Sequence, residues 1–161
     1  SLESTTEILA GLPLLSGTPP DAIGRLSALA KLEDWPAGSQ LFAEGDAPGD
    51  LLIVLEGRVT LCMKVPGRVD SCVLSLRAGE LLGWSALLRR PRVATARVVR
   101  DARLLRFPAS PLLELCELDH DVGYALLRVA FEEVAERLHH TRLQLLDIFQ
   151  NPGGTAARPE A

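Results

Sequence analysis

Three apolar rhythms run along this chain, and each predicts a different kind of element. Near the N-terminus a short apolar segment, Thr5 to Leu15, precedes "PPDAIGRLSALAKL". There two prolines open a run with apolar residues at helical spacing through Ile23, Leu26, Leu29 and Leu32. Two small helices are expected. From Glu33 to Pro108 the apolar runs become short: "SQLFAEG", "DLLIVLEG", "RVTLCMKV", "SCVLSLRAG", "RVATARVV" and "ARLLRFP", separated by glycine, proline and aspartate. Strands of this length with near-regular turn signals predict an antiparallel β-barrel or sandwich. Gly38, Gly45, Gly57, Gly67 and Gly79 fall between the runs, at positions expected to turn. In "RVTLCMKV" the alternation sends Val59, Leu61 and Met63 toward the core and Thr60, Cys62 and Lys64 away from it.

After Pro108 the period lengthens again. "SPLLELCELD" has a Ser-Pro start, and a long helix is predicted from Asp119 to Gln150, ended by "NPGG". Along it Tyr124, Leu127, Phe131, Val134, Leu138, Thr141, Leu145 and Ile148 recur at alternating spacings of three and four. That is an unbroken heptad seam, so we expect a parallel homodimer through this helix, with those eight residues at the interface. Leu126, Ala130, Leu143 and Leu146 lie off the seam and offer a second apolar side for packing on the chain's own barrel. Residues 1–150 read as one domain and residues 151–161 as a disordered tail.

Composition narrows the possible functions. The 161 residues carry a formal charge of -4, which argues against nucleic-acid binding. Lys31 and Lys64 are the only lysines, so arginine supplies 15 of the 17 cations, and arginine grips phosphate with a planar fork. No apolar run approaches the roughly 20 residues of a membrane helix, and the N-terminus lacks the regions of a signal peptide. The expected location is cytoplasmic. Cys62, Cys72 and Cys116 have no metal-ligand spacing, and buried thiols are the expectation. Cys62 and Cys72 would face each other across the hairpin at Gly67 in one register and lie on opposite faces after a one-residue slip. His139 and His140 point about 100° apart on a helix and cannot converge on a metal.

The order of these elements, with "GSQLFAEGDAPGDLLIVLEGRVTL" and "GELLGWSALLRRPRVATA", resembles the cyclic nucleotide-binding domain of CRP/FNR regulators and protein kinase A regulatory subunits. The resemblance covers about residues 8 to 150. It implies an α+β fold in which a jelly-roll barrel is flanked by N-terminal helices and closed by a long dimerisation helix. The second stretch is similar to the family's phosphate-binding cassette. In that cassette a helical turn beginning at Gly83 leaves the N–H groups of Ser85, Ala86 and Leu87 pointing at an anion. Arg92 adds a charge-assisted fork. The resemblance thus assigns ligand binding to Gly83, Trp84, Ser85, Ala86, Leu87, Arg92 and Val93, joined by Thr141 in "RLHHT" of the long helix. Thr95 is expected to pack in the next strand, and Glu80 matches the structural acid before the cassette.

Trp84 departs from the pattern. It stands where the family has an acid that accepts from the ribose hydroxyl, and an indole donates but does not accept. Losing that bond costs about 1–3 kcal/mol. Two readings follow: a regulatory sensor for a cyclic nucleotide such as cAMP or cGMP, or a related anion, and alternatively a ligand-independent interaction domain. No nucleophile, base and orienting residue occur together at a catalytic spacing, so no enzyme and no obligatory cofactor are expected. Only the short tail follows Gln150, so DNA reading by a helix-turn-helix is not expected of this chain alone. A protein partner is expected to receive the signal.

Overall fold

A computed structural model of the protein describes residues 4–150; the expected tail, 151–161, lies outside the described residues. The N-terminal segment forms α1 (Thr5–Gly11), a 3-10 turn at Pro13–Leu15 and α2 (Pro20–Leu29). α2 is shorter than its apolar rhythm suggests. Ala30 leaves helical geometry at ψ 138°, and Lys31 and Leu32 open the first strand, where Leu32 is exposed.

Six strands follow: β1 (Lys31–Trp35), β2 (Gln40–Phe42), β3 (Leu51–Met63), β4 (Ser71–Leu76), β5 (Leu81–Leu82) and β6 (Thr95–Phe107). All their pairings are antiparallel, in the order β1-β6-β3-β4, with β2 on β6 and β5 on β3. β3 and β6 each join two of the runs that the sequence separates. Gly57, expected at a turn, sits instead inside β3 at φ 87°, where the register with β6 shifts. A Cβ there would lie 2.7 Å from Ala102 Cα and 2.9 Å from Arg100 O, so this bulge accepts glycine alone.

The two long strands divide the core. Leu51 and Ile53, with Leu105 and Phe107, face a cluster shared with the helices, whereas Leu52 and Val54, with Ala102 and Leu104, face a cluster inside the barrel. Successive strand residues point to opposite faces, and both faces are buried here. That is why "LLIV" and "ARLLRF" lack polar alternation.

The expected facing of "RVTLCMKV" is corrected. Cys62 is buried and Met63 exposed, and the register with β4 shifts between Leu61 and Cys62, where Val73 of β4 is the extra residue. The same shift sets Cys62 opposite Cys72. The two are joined as a disulfide rather than held as buried thiols, and Cys116 is the free cysteine.

α3 (Ala109–Leu118) and α4 (His120–Gln150) close the chain. Asp119 caps α4, its carboxylate accepting from the N–H groups of Asp121 and Val122 at 3.0 and 3.3 Å, and it pairs with Arg25 of α2. α4 buries Val122, Ala125, Leu126 and Val129 against the domain. Beyond them Leu143 and Leu146 are exposed, so the second apolar side packs only over the helix's first turns.

Candidate functional site

Arg92 is the centre of the site. It is 5% exposed, and its guanidinium sits in a cradle with no side chain on two sides. A Cβ at Gly83 would come within 2.5 Å of Nη1, and one at Gly49 within 2.6 Å of Nη2. Nη1 donates to Gly83 O at 3.2 Å and Ser85 Oγ at 3.4 Å, while Nη2 donates to Asp50 O at 2.6 Å. The guanidinium carbon lies 4.1 Å from the centre of the Phe42 ring, a cation–π distance.

Backbone bonds fix the arginine from both sides. Its N–H donates to Asp46 O at 2.9 Å, and its carbonyl accepts from Gly45 N–H at 2.8 Å. Asp46 closes its own turn by accepting from Ala43 N–H. Asp50 does double duty. Its carbonyl holds Arg92, and its carboxylate accepts from Arg106 and from the N–H of Ala109 at the start of α3, each at 3.2 Å.

The electrostatics of this arrangement are unusual. Among the described residues no carboxylate oxygen lies within 4.0 Å of the Arg92 guanidinium, so its bonds go to neutral oxygens. Burial pushes the Arg92 pKa down, Arg106 pushes the same way, and the more distant Asp50 and Asp46 charges oppose it. A buried cation without a directly paired carboxylate favours an incoming anion.

The turn from Trp84 to Leu88 is a 3-10 helix whose cap, Gly83, is left-handed at φ 81°. Of the amides expected to be open, that of Ala86 donates to Gly83 O at 2.9 Å, because a 3-10 turn closes after three residues. Arg89, at φ 51°, ends the turn. Ser85 and Ala86 are buried, Leu87 is partly buried and Val93 is exposed. Trp84 is partly buried and packs on the helix-facing cluster. Thr95 starts β6, and its hydroxyl accepts from Glu44 N–H at 3.0 Å.

Thr141 lies far along α4, exposed, its hydroxyl donating to Arg137 O one turn back at 2.8 Å. The seven apolar residues of the seam, Tyr124, Leu127, Phe131, Val134, Leu138, Leu145 and Ile148, are all exposed, Phe131 by 71%. His139 and His140 are exposed with ring centres 6.3 Å apart, and the described residues contain no group of three or more metal-binding side chains.

Sequence reasoning missed four parts of the site. Phe42, Gly49 and the Asp50 carbonyl build the cradle, and only the Pro-Gly-Asp turn before β3 hinted at them. The fourth is a latch on α4. Arg137 Nη2 donates to Leu81 O at 3.0 Å and to Glu133 at 3.2 Å, two residues before Gly83. The Glu-to-Arg spacing of four was the available signal. Burial raises the Glu133 pKa, and Glu80 adds to the rise. Arg137 and a backbone hydrogen bond from Leu81 work against it.

Comparison with known proteins places this geometry. The family described as "Cyclic nucleotide-binding domain" matches residues 32–119, more than half of the chain. A CRP-like cAMP-activated global transcriptional regulator of Mycobacterium tuberculosis is 28% identical over 155 residues, covering 94% of this chain and 67% of the regulator. The catabolite activator protein of Thermus thermophilus superposes with a TM-score of 0.68 at 28% identity, covering 86% of this chain and 63% of that one. A cyclic nucleotide-binding domain from Methylobacillus flagellatus shares the fold, with a TM-score of 0.77 at 19% identity over 98% of this chain and 86% of that one. This chain thus spans about two thirds of the length of the two regulators. No described helix is long and apolar enough to cross a membrane. With the barrel, the glycine-flanked arginine and the long closing helix in family order, the chain belongs to the cyclic nucleotide-binding domain family.

Proposed function

We propose that residues 1–150 form one regulatory, non-catalytic unit that binds a cyclic nucleotide, cAMP or cGMP, or a related anion at Gly83–Leu87 and Arg92, and relays binding through a homodimer built on α4. The observation that carries this reading is the buried Arg92 guanidinium, which faces neutral acceptors and has no ion-pair partner among the described residues. A cyclic phosphate supplies the missing charge in a fork geometry. Taking Nη1 from Gly83 O would shift the segment that Arg137 grips at Leu81, which gives the cassette a mechanical path to α4. Trp84 and Val93 would then border the ligand from the cassette, and Thr141 of a partner helix, whose hydroxyl proton is given to Arg137 O, would reach it as an acceptor. The exposed seam supports the homodimer, since a stripe of this size favours burial. The negative charge argues against DNA binding by this chain alone, and a protein partner receives the change.

A second reading, an interaction domain without ligand, is favoured by Trp84 and by the three bonds that Arg92 already makes within the protein. Calorimetric titration of cAMP and of cGMP into the native protein and into Arg92→Ala decides between them. Saturable binding that Arg92→Ala abolishes is the expected result. Absence of binding by both nucleotides would favour the second reading.

A further inference from the structure

We propose that Cys62 and Cys72 form a reversible thiol–disulfide exchange site whose oxidised state holds the Glu44–Asp46 turn that anchors the Arg92 backbone. Three observations lead there. Cys62 is buried at the end of β3 and bridged to Cys72 of β4, and the Cys72 side is exposed and open to a small thiol. Cys62 is also the register partner of Thr95 on β6, a residue three positions after Arg92 in the chain. Finally, the β3 end is tied to the cassette by a short chain of bonds. Lys64 N–H donates to Glu44 Oε2 at 2.8 Å, Glu44 N–H to Thr95 Oγ1 at 3.0 Å, and Gly45 N–H to Arg92 O at 2.8 Å.

The bridge clamps β4 to a part of β3 where a register shift has already broken the regular pairing. With the clamp open, β4 frays from Cys62, Lys64 loses its fixed position, and the Glu44–Asp46 turn loses one of its anchors. Asp46 in that turn accepts the Arg92 N–H, so the arginine's backbone loosens too. The chemistry balances with a dithiol as reductant. Its thiolate attacks Cys72 Sγ and expels Cys62 as a thiolate. Its second thiol then displaces Cys72, and the dithiol departs as a cyclic disulfide after passing two electrons and two protons to the cysteine pair. Cys116 takes no part: its thiol is half-buried, and burial with the nearby Asp119 and Glu117 charges pushes its pKa up.

The consequence for ligand affinity rests on the anion-binding reading, but the test does not. Protein purified without reductant is alkylated with iodoacetamide in denaturant and weighed. One modified cysteine, Cys116, is expected, and all three after dithiothreitol treatment. Amide hydrogen exchange of the native protein is then followed in both states. On reduction the Gly45 and Arg92 amides should exchange at least about tenfold faster. The Gly79 amide, bonded to Val54 O at 2.7 Å in another part of the barrel, should not change. Cys72→Ser, a substitution at an exposed position, should match the reduced protein and ignore dithiothreitol; if it does not fold, the native protein in its two states decides alone. Three modified cysteines at the outset, opening by dithiothreitol only in denaturant, or equal exchange at Gly45 and Arg92 would each overturn the proposal. None of these readouts needs a nucleotide, so failure to bind cAMP is a separate result.

Discussion

Three glycine-to-alanine substitutions dissect how Arg92 is seated. Gly38 has φ 91° and open space where a Cβ would go, so Gly38→Ala reports backbone strain alone, about 1–2 kcal/mol. A Cβ at Gly49 would meet only the Arg92 guanidinium, at 2.6 Å from Nη2, and no positive φ adds to it. Gly49→Ala should thus cost the bond from Nη2 to Asp50 O, about 1.5–3 kcal/mol for a charged donor. Gly83 combines both penalties. Its φ is 81°, and its Cβ would press on Nη1 at 2.5 Å and on the backbone oxygen of Asp50 at 2.8 Å, which has no freedom to swing aside. Gly83→Ala should cost roughly 3–5 kcal/mol, the sum of strain and lost bonds. Against a typical total of about 5–15 kcal/mol the variant still folds. Urea unfolding followed by circular dichroism gives all three values under one condition. The order expected is Gly38→Ala least, Gly49→Ala next and Gly83→Ala most. If Gly83→Ala costs no more than Gly38→Ala, the guanidinium is not packed against the cassette, and the argument built on its burial fails.

Other consequences are equally concrete. Leu138→Asp places a charge in the exposed seam, and light scattering should show a dimeric native protein and a monomeric variant; a monomeric native protein at micromolar concentration refutes the interface. Because the folded Glu133 pKa is raised, its contribution to stability is fully present below its ordinary value near 4.5 and declines as pH rises through the raised value. Glu133→Gln should remove that decline, so melting temperatures of the two proteins should match at low pH and diverge as pH rises, the native protein becoming the less stable; a constant difference from pH 4 to 8 contradicts the burial of this carboxyl. Trp84→Glu restores an acceptor for a ribose hydroxyl and should strengthen cAMP binding by about 1–3 kcal/mol. Its stability cost should stay below the roughly 3–5 kcal/mol of a fully buried tryptophan. A folded variant with no gain in affinity would show that the cassette is not shaped for a nucleotide.

Local chemistry by itself determined the kinds of element, their order and the place of the cassette arginine. Helical spacing, short apolar runs and the heptad seam depend on near neighbours, and such patterns survive in any fold that uses them. The exposed seam on α4 was legible for that reason. Other features were settled only when distant strands met. Gly57 reads as a turn glycine, yet pairing with β6 over Thr95 to Phe107 made one long strand and turned the glycine into a bulge. The pairing of Cys62 with Cys72 depended on an extra residue in β4, which no periodicity within β3 contains, and with it the choice between thiols and a disulfide. The surroundings of Arg92 come from three separate places in the chain, Phe42, Gly49–Asp50 and Gly83, which only the closed barrel brings together. A sequence announces a buried arginine's identity, but its desolvation and the neutral oxygens that pair with it are properties of the surroundings, and tertiary packing decided those.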